Sequence, residues 1–139
     1  MGRQSGSPAV PALDSLPVLP RFTLHEITMD CLDAELVATF WSRLLGAELR
    51  EPLPGWKRLG PLTDCGPVLN FQPVPEPKVG KSRMHLDLLT DDLTGAIRRV
   101  VELGGRELAE RHVYEEGTVS VMADPEGHEF CLVQYTHAG

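Results

Sequence analysis

The sequence has few cysteines, few aromatic residues and no long apolar run. Its three cysteines, Cys31, Cys65 and Cys131, are widely spaced and include no Cys-x-x-Cys pair. This pattern argues against a disulfide framework or a structural zinc knuckle and predicts a reduced, cytoplasmic protein. No apolar stretch reaches the roughly 20 residues that a membrane-spanning helix needs, and aromatic residues make up only 6% of the chain. The core must therefore consist mostly of aliphatic side chains.

Positive charge is also scarce. The 139 residues include 13 Lys and Arg against 20 Asp and Glu, a formal net charge of -7. The basic residues are scattered, so the sequence lacks the basic stripe that nucleic-acid binding requires. A basic amphipathic helix is absent as well, which argues against binding to a membrane surface.

The chain divides into a leader and one folded domain. Residues 1–20 are rich in Pro, Ser and Gly, which predicts a flexible leader, and four prolines interrupt any apolar region of a secretion signal. We expect the domain to span residues 21–139. A strand is predicted at 22–31, because apolar Ile27 and Met29 alternate with polar residues. A helix follows, with Asp33 as N-cap and Gly46 as C-cap.

The same pattern then begins again. Met84, Leu86 and Leu88 alternate with polar residues, and a second helix is predicted from Asp91-Asp92 to Gly104-Gly105. Strands are expected near 117–123 and 129–135, joined by a type I turn at Asp124-Pro-Glu-Gly127. This internal repeat predicts an α+β fold with a first module at about 21–75 and a second at about 82–136.

Several short motifs, in this order, carry a family resemblance. The sequence resembles the vicinal oxygen chelate superfamily, also called the glyoxalase/bleomycin-resistance/dioxygenase fold, and in particular glyoxalase-like domain proteins of the actinobacterial type. The resemblance implies two βαβββ modules that form a curved mixed sheet around one cleft. The motifs that carry it are Asp30-Cys31, Phe40-Trp41, Leu44-Leu45-Gly46, Phe71 to Lys78 with Lys81, His85-Leu-Asp-Leu88 and Asp124 to Cys131.

The resemblance also implies where a metal would bind. Metal-using members take four ligands from inward-facing strand positions, which here correspond to Glu26, Gln72, His85 and Cys131. Asn70 is the alternative to Gln72 if the register differs, and Glu129 could replace Cys131 only if the last strand slipped. This set holds one histidine, and a cysteine stands where the family's closing glutamate is expected. The sequence therefore predicts no metal and no other cofactor.

The polar faces of the predicted strands should line the cleft. Carboxylates that share such a face need an offsetting charge, which could come from His85, an Arg or Lys, a cationic ligand or a metal. His85 is either an acid/base group or ligand, or a structural histidine held by Asp87 or another acid. The predicted cleft residues are Glu26, Thr28, Asp30, Trp56, Gln72, His85, Asp87, Glu129 and Cys131.

Four further interpretations concern single side chains, two of which, Cys131 and Trp56, belong to that set. Cys131 is expected to be a buried small side chain, because the sequence places no base beside it. Trp41 is expected in the core, whereas Trp56 is expected at the rim of the cleft, where it could stack on a ligand. His128 is expected to be exposed in its turn.

Three functions fit this pattern. The leading hypothesis is a metal-independent protein that binds a small organic ligand, cationic or multiply hydroxylated, and sequesters or carries it. The alternative is a divalent-metal-dependent lyase, isomerase or dioxygenase of the same superfamily, and a third is a regulatory domain that acts through dimerisation. The resemblance predicts a homodimer in any of these cases.

Overall fold

The computed structural model describes residues 19–64 and 66–136. The leader predicted at 1–20 therefore lies almost wholly outside the described residues. The first module consists of β1 (Glu26–Cys31), α1 (Ala34–Leu45), β2 (Leu49–Arg50), β3 (Lys57–Leu59) and β4 (Val68–Pro73). The second consists of β5 (Leu86–Leu89), α2 (Leu93–Glu102), β6 (Arg106–Val113), β7 (Gly117–Ala123) and β8 (Glu129–Tyr135).

The two modules have the same topology. The strand orders are β1-β4-β3-β2 and β5-β8-β7-β6, and the only parallel pairs in these two sheets are β1 with β4 and β5 with β8. The predicted pair of βαβββ modules with mixed sheets is thus confirmed. The described strands form two four-stranded sheets, one per module.

Both helices begin at their predicted N-caps, and α1 ends at its predicted C-cap, whereas α2 ends at Glu102 with Leu103 as its C-cap, just before the predicted Gly104. The Asp33 carboxylate accepts a hydrogen bond from the Leu36 amide at 3.0 Å, and Gly46 ends α1 with φ at 66°, a left-handed conformation that glycine adopts without a Cβ clash. The Asp92 carboxylate accepts from the Gly95 amide at 3.0 Å in the same way.

One core joins the two modules. The indole of Trp41 in α1 lies 4.7 Å from the ring of Phe130 in β8, measured between ring centroids, and Phe40 packs edge-on against both rings. All three side chains are at most 2% exposed. Aromatic contacts of this geometry add about 1 kcal/mol to the burial of apolar area, so helix α1 of the first module is anchored in the second.

Some details of the predicted elements are wrong. Strand β1 begins at Glu26 and not at 22. Met84, the first apolar residue of the second predicted alternation, is 86% exposed because β5 begins only at Leu86. Strand β6 was not predicted, because its charged sequence lacks regular alternation and its register shifts between residues 107 and 111.

The turn between β7 and β8 connects the modules through a buried ion pair. The Asp124 side chain is fully buried. It accepts a hydrogen bond from the Trp41 indole Nε1 at 2.9 Å and lies 2.8 Å from His128 Nδ1. His128 Nε2 lies 2.8 Å from the backbone carbonyl oxygen of Asp30 in β1.

His128, which was predicted to be exposed, is therefore largely buried, with only 12% of its side chain accessible. A carbonyl and a carboxylate can only accept, so both ring nitrogens must donate and the ring is an imidazolium. Burial alone would lower the pKa of His128, but the hydrogen bond and charge of Asp124 outweigh it and raise that pKa above its usual value. We refer to Trp41, Asp124 and His128 as the clasp.

Candidate functional site

The first sheet carries a polar network on the face that is turned away from its helix. The Arg58 guanidinium donates to Asn70 Oδ1 and to Glu26 Oε1, each at 2.8 Å. Asn70 is only 2% exposed, so this network satisfies a buried amide. Arg58 also offsets the charge of Glu26, one of the predicted cleft residues.

The other predicted residues of the first module lie on the same sheet. Asp30 is paired in register with Gln72, and Thr28 with Asn70. Thr28 and Asp30 are exposed, whereas Gln72 is half-buried. Trp56 is half-buried and immediately precedes β3. It stands two positions before Arg58, the spacing of side chains on one face of a strand.

The second sheet carries a cavity on its corresponding face. The cavity measures about 340 Å³ and has two chemically distinct ends. Its floor is apolar and consists of Val119, Val121 and Val133 on β7 and β8. Its polar end consists of Lys81, Ser82, His85, Asp87, Glu129 and Cys131, and its rim on the β6 side of the valines consists of His112 and Tyr114.

At the polar end, His85, Asp87 and Cys131 lie together. His85 Nδ1 is 3.0 Å from Asp87 Oδ1, and Asp87 is paired in register with Cys131. One nitrogen of His85, one carboxylate oxygen of Asp87 and the Cys131 sulfur all lie within 4.8 Å of one another. Cys131 is buried, as predicted, at 7% exposure. The base that the sequence did not place beside it comes from the neighbouring strand.

Glu129 is held at the same end by two partners. Its carboxylate lies 3.1 Å from the Lys78 ammonium and accepts a hydrogen bond from the Ser82 amide at 3.0 Å. Burial alone would raise the pKa of Glu129, but the bonds from Ser82 and Lys78 outweigh it and lower that pKa to about 2. The segment that contains Lys78 continues into Lys81 and Ser82, which line one side of the cavity.

The nine predicted cleft residues fall into two groups. Four of them line the cavity of the second sheet, namely His85, Asp87, Glu129 and Cys131. The other five, Glu26, Thr28, Asp30, Trp56 and Gln72, belong to the first module and do not line it. Sequence reasoning missed two rim residues, His112 and Tyr114, whose rings stack with centroids 6.3 Å apart, because it missed β6. The alternation of the predicted strands 117–123 and 129–135 could have identified the valine floor.

The four ligand positions implied by the resemblance do not form one donor cluster among the described residues. Glu26 is bound to Arg58, whereas His85 and Cys131 cluster with Asp87. That set therefore does not fit a four-ligand metal site.

A second group of donor atoms does not fit a metal either. Cys31, Glu126 and His128 lie within 4.8 Å of one another. The Glu126 oxygens already accept from the backbone amides of Leu32 and Asp33. The His128 nitrogens are bonded to the Asp124 carboxylate and the Asp30 carbonyl. Burial raises the pKa of the Cys31 thiol far above its usual value, so it remains a thiol.

A larger cavity, of about 580 Å³, lies elsewhere, between the end of α1, the loop after β3 and strand β5. Its lining is mostly aliphatic, from Leu45, Ala47, Leu62, Leu86 and Leu88. It shares only Asp87 with the cavity on the second sheet and is lined by neither His85 nor Cys131. The cavity with reactive side chains is therefore the smaller one.

These features identify the class of protein. A profile of the glyoxalase-like domain family matches residues 26–133, and the chain belongs to this family, within the vicinal oxygen chelate superfamily. No functionally curated protein matches the chain significantly. Across the described residues, no helix is both long enough and apolar enough to span a membrane.

Solved structures with the same fold are distant in sequence. A glyoxalase/bleomycin resistance protein/dioxygenase from Nocardioides is 18% identical, with a TM-score of 0.66 and coverage of 91% of each chain. The oxidase ChaP-H2 is 18% identical, with a TM-score of 0.63 and coverage of 85% of this chain and 98% of its own. Lactoylglutathione lyase from Agrobacterium tumefaciens is 17% identical, with a TM-score of 0.57 and coverage of 84% and 96%. At this distance, the similarity shows the fold.

Proposed function

We propose that the protein binds a small organic molecule in the cavity on the second sheet, without a metal, and sequesters or carries it. The observation that supports this most directly is the cavity itself, which combines an apolar floor with polar groups at one end. Small-molecule sites generally have this composition, because burial of the apolar body supplies affinity and a few polar groups fix orientation.

The charges around the cavity define the class of ligand. Two acidic side chains that suggested a cationic ligand have cationic partners, because Glu26 pairs with Arg58 and Glu129 with Lys78. Asp87 is hydrogen-bonded to His85, and Asp30 does not line this cavity. The pairing removes the need for a ligand cation to offset them. Groups that can donate a hydrogen bond include the Lys81 ammonium at the polar end and the Tyr114 hydroxyl at the rim. The ligand we propose therefore has an apolar body and a hydrogen-bond acceptor such as a carbonyl oxygen.

Calorimetric titration tests this proposal. The probe is 3-octanone, an apolar chain with one carbonyl group, and a cationic glycopeptide antibiotic is the comparison. We expect heat of binding with the ketone. Binding of the antibiotic alone would overturn the proposed ligand class, and no heat with either would count against the binding function.

Two matched variants locate the binding site. Val119→Phe fills the floor of the cavity and should abolish binding of the ketone. Val113→Phe adds the same ring at an exposed position on β6, where the backbone is paired with Thr118 and the side chain does not line the cavity, and should leave binding unchanged. Equal effects of the two variants would contradict the assignment of the site.

Metal analysis tests the metal-free part. Protein purified without chelator or affinity tag should contain no stoichiometric Fe, Mn, Ni or Zn. A stoichiometric metal that disappears in His85→Ala would overturn the metal-free proposal and support the metal-dependent lyase, isomerase or dioxygenase.

We also propose that the protein is a cytoplasmic homodimer. The cysteine pattern supports the compartment and the family resemblance supports the dimer. Sedimentation analysis of the purified chain tests the oligomeric state, and a monomer at all concentrations would contradict it.

A further inference from the structure

We infer that Cys131 and His85 form a nucleophile–base pair that captures α,β-unsaturated carbonyl compounds covalently. This inference rests on the proposed function, because it concerns the same cavity, and it specifies the chemical class of the ligand. It arises from the cluster of thiol, imidazole and carboxylate at the polar end, which a purely non-covalent binding site does not require.

The arrangement has the three parts of an activated nucleophile. A thiol needs an adjacent base to remove its proton, and the base needs a third group that orients it. Asp87 can only accept, so His85 Nδ1, which lies 3.0 Å from it, donates. In the neutral imidazole, this leaves Nε2 with the lone pair that can accept a proton. Asp87 is therefore a positioning residue that acts through His85.

The thiol lies near the imidazole. The Cys131 sulfur is within 4.8 Å of one of the two His85 ring nitrogens, and the proposed proton transfer to Nε2 passes through a water molecule or follows a rotation of the half-exposed ring. Catalytic hydrogen bonds are often long or poorly aligned before a ligand closes the site. Cys131 also lines the cavity together with the valine floor, so a bound ligand contacts the sulfur.

The shape and chemistry of the cavity favour an unsaturated ketone or aldehyde with an apolar tail. The tail would lie on Val119, Val121 and Val133, and the carbonyl oxygen would face the Lys81 ammonium at the polar end. The electrophilic carbon would then lie at the same end, beside Cys131. Cys31 offers no comparable site, because it is 1% exposed and burial raises the pKa of its thiol.

The step balances without a further reactant. A bond forms between the Cys131 sulfur and the β-carbon of the ligand, while the electron pair of the carbon–carbon double bond moves toward the carbonyl group. The thiol proton passes to His85 Nε2 and from there to the α-carbon. The net result is addition of the S–H group across the double bond, with no change in overall oxidation state.

The test uses the full chain with Cys65→Ser, so that only Cys31 and Cys131 carry thiols, after treatment with a chelator. The probes are 1-octen-3-one and methyl vinyl ketone, which share the reactive group and differ in their tails. Intact-mass spectrometry and peptide mapping give the rate at each cysteine, and N-acetylcysteine gives the rate of an ordinary thiol.

We expect Cys131 to react with 1-octen-3-one faster than N-acetylcysteine does, and Cys31 to remain unmodified. Methyl vinyl ketone should lose most of this advantage, because each buried methylene group contributes roughly fourfold to binding. A rate at Cys131 no higher than that of N-acetylcysteine would overturn the inference. Equal rates for the two probes, each divided by the rate of that probe with N-acetylcysteine, would overturn the proposed ligand class.

Two variants test the roles of the neighbours. His85→Gln should slow the reaction about a hundredfold, the usual contribution of a positioned base. Asp87→Asn should also slow it and shift its pH profile. An unchanged rate in His85→Gln, or a rate restored only by added Zn²⁺, would overturn the proposed step.

Binding of 3-octanone separates this inference from the proposed function. The saturated ketone can bind but cannot react. Binding of 3-octanone without alkylation of Cys131 by 1-octen-3-one would overturn only the covalent step. Absence of both the binding and the alkylation would overturn the binding function as well.

Discussion

The clasp yields the sharpest prediction about stability. In Asp124→Asn, an NH₂ group replaces one of two carboxylate oxygens, both of which accept hydrogen bonds: one from the Trp41 indole, the other from the amides of Glu126 and His128. Whichever way the new side-chain amide faces, either the Trp41 indole or the two backbone amides lose their acceptor. The His128 imidazolium also loses the negative charge that offsets its own. The side chain is fully buried, so the effect is not screened by solvent.

Loss of one partner from a buried, hydrogen-bonded ion pair costs about 3–5 kcal/mol, a large part of the 5–15 kcal/mol that typically holds a small domain folded. We expect Asp124→Asn to lower the free energy of unfolding by this amount in urea titrations. The matched control Asp64→Asn, at an exposed position, should change it by less than about 0.5 kcal/mol.

A double-mutant cycle with Trp41→Phe makes the test specific. If the indole acts through Asp124, the two substitutions should be non-additive by about 1 kcal/mol. An effect of Asp124→Asn below about 1 kcal/mol, or strict additivity with Trp41→Phe, would refute the role assigned to the clasp.

Two further predictions concern pH. Because folding raises the pKa of His128, its stabilisation is complete below the unfolded value of about 6.5 and is lost as the pH rises through the folded pKa. The stability advantage of the native chain over His128→Gln should therefore shrink toward alkaline pH, and an advantage that stays constant between about pH 6 and pH 9 would contradict this. Folding lowers the pKa of Glu129 to about 2, so its contribution is present above the unfolded value of about 4.5 and is lost as the pH falls toward 2. Measuring the free energy of unfolding of Glu129→Gln and of the native chain in acid checks this contribution, and a difference that does not change with pH would rule it out.

Local signals in the sequence predicted the fold well. The caps Asp33, Gly46 and Asp92 act through residues at most four positions away, so a single sequence contains the information. The strands predicted near 117–123 and 129–135 have those boundaries in the structure. Strand β6 could not be predicted in the same way, because its pairing with β7 overrides a charged sequence that has no clear period.

The site depends on contacts that the sequence does not encode locally. Arg58 and Glu26 are 32 residues apart, and His128 and Asp30 are 98 apart. Sequence patterning could place carboxylates on a sheet face but could not assign their partners, so it left the offsetting charge open. The alternation of residues 84–88 places His85 and Asp87 on one face, but only the register of β5 against β8, which pairs Asp87 with Cys131, brings them to the thiol.

The central claim is that the cavity on the second sheet binds an apolar molecule with a carbonyl group. Titration of the ¹⁵N-labelled protein with 3-octanone, followed by NMR, tests it most directly. We expect amide shifts to concentrate at His112, Val119 and Cys131 and to be small at Glu26 and Arg58 on the first sheet. Shifts confined to the larger cavity, around Leu45 and Leu62, or no saturable shifts at all, would contradict it.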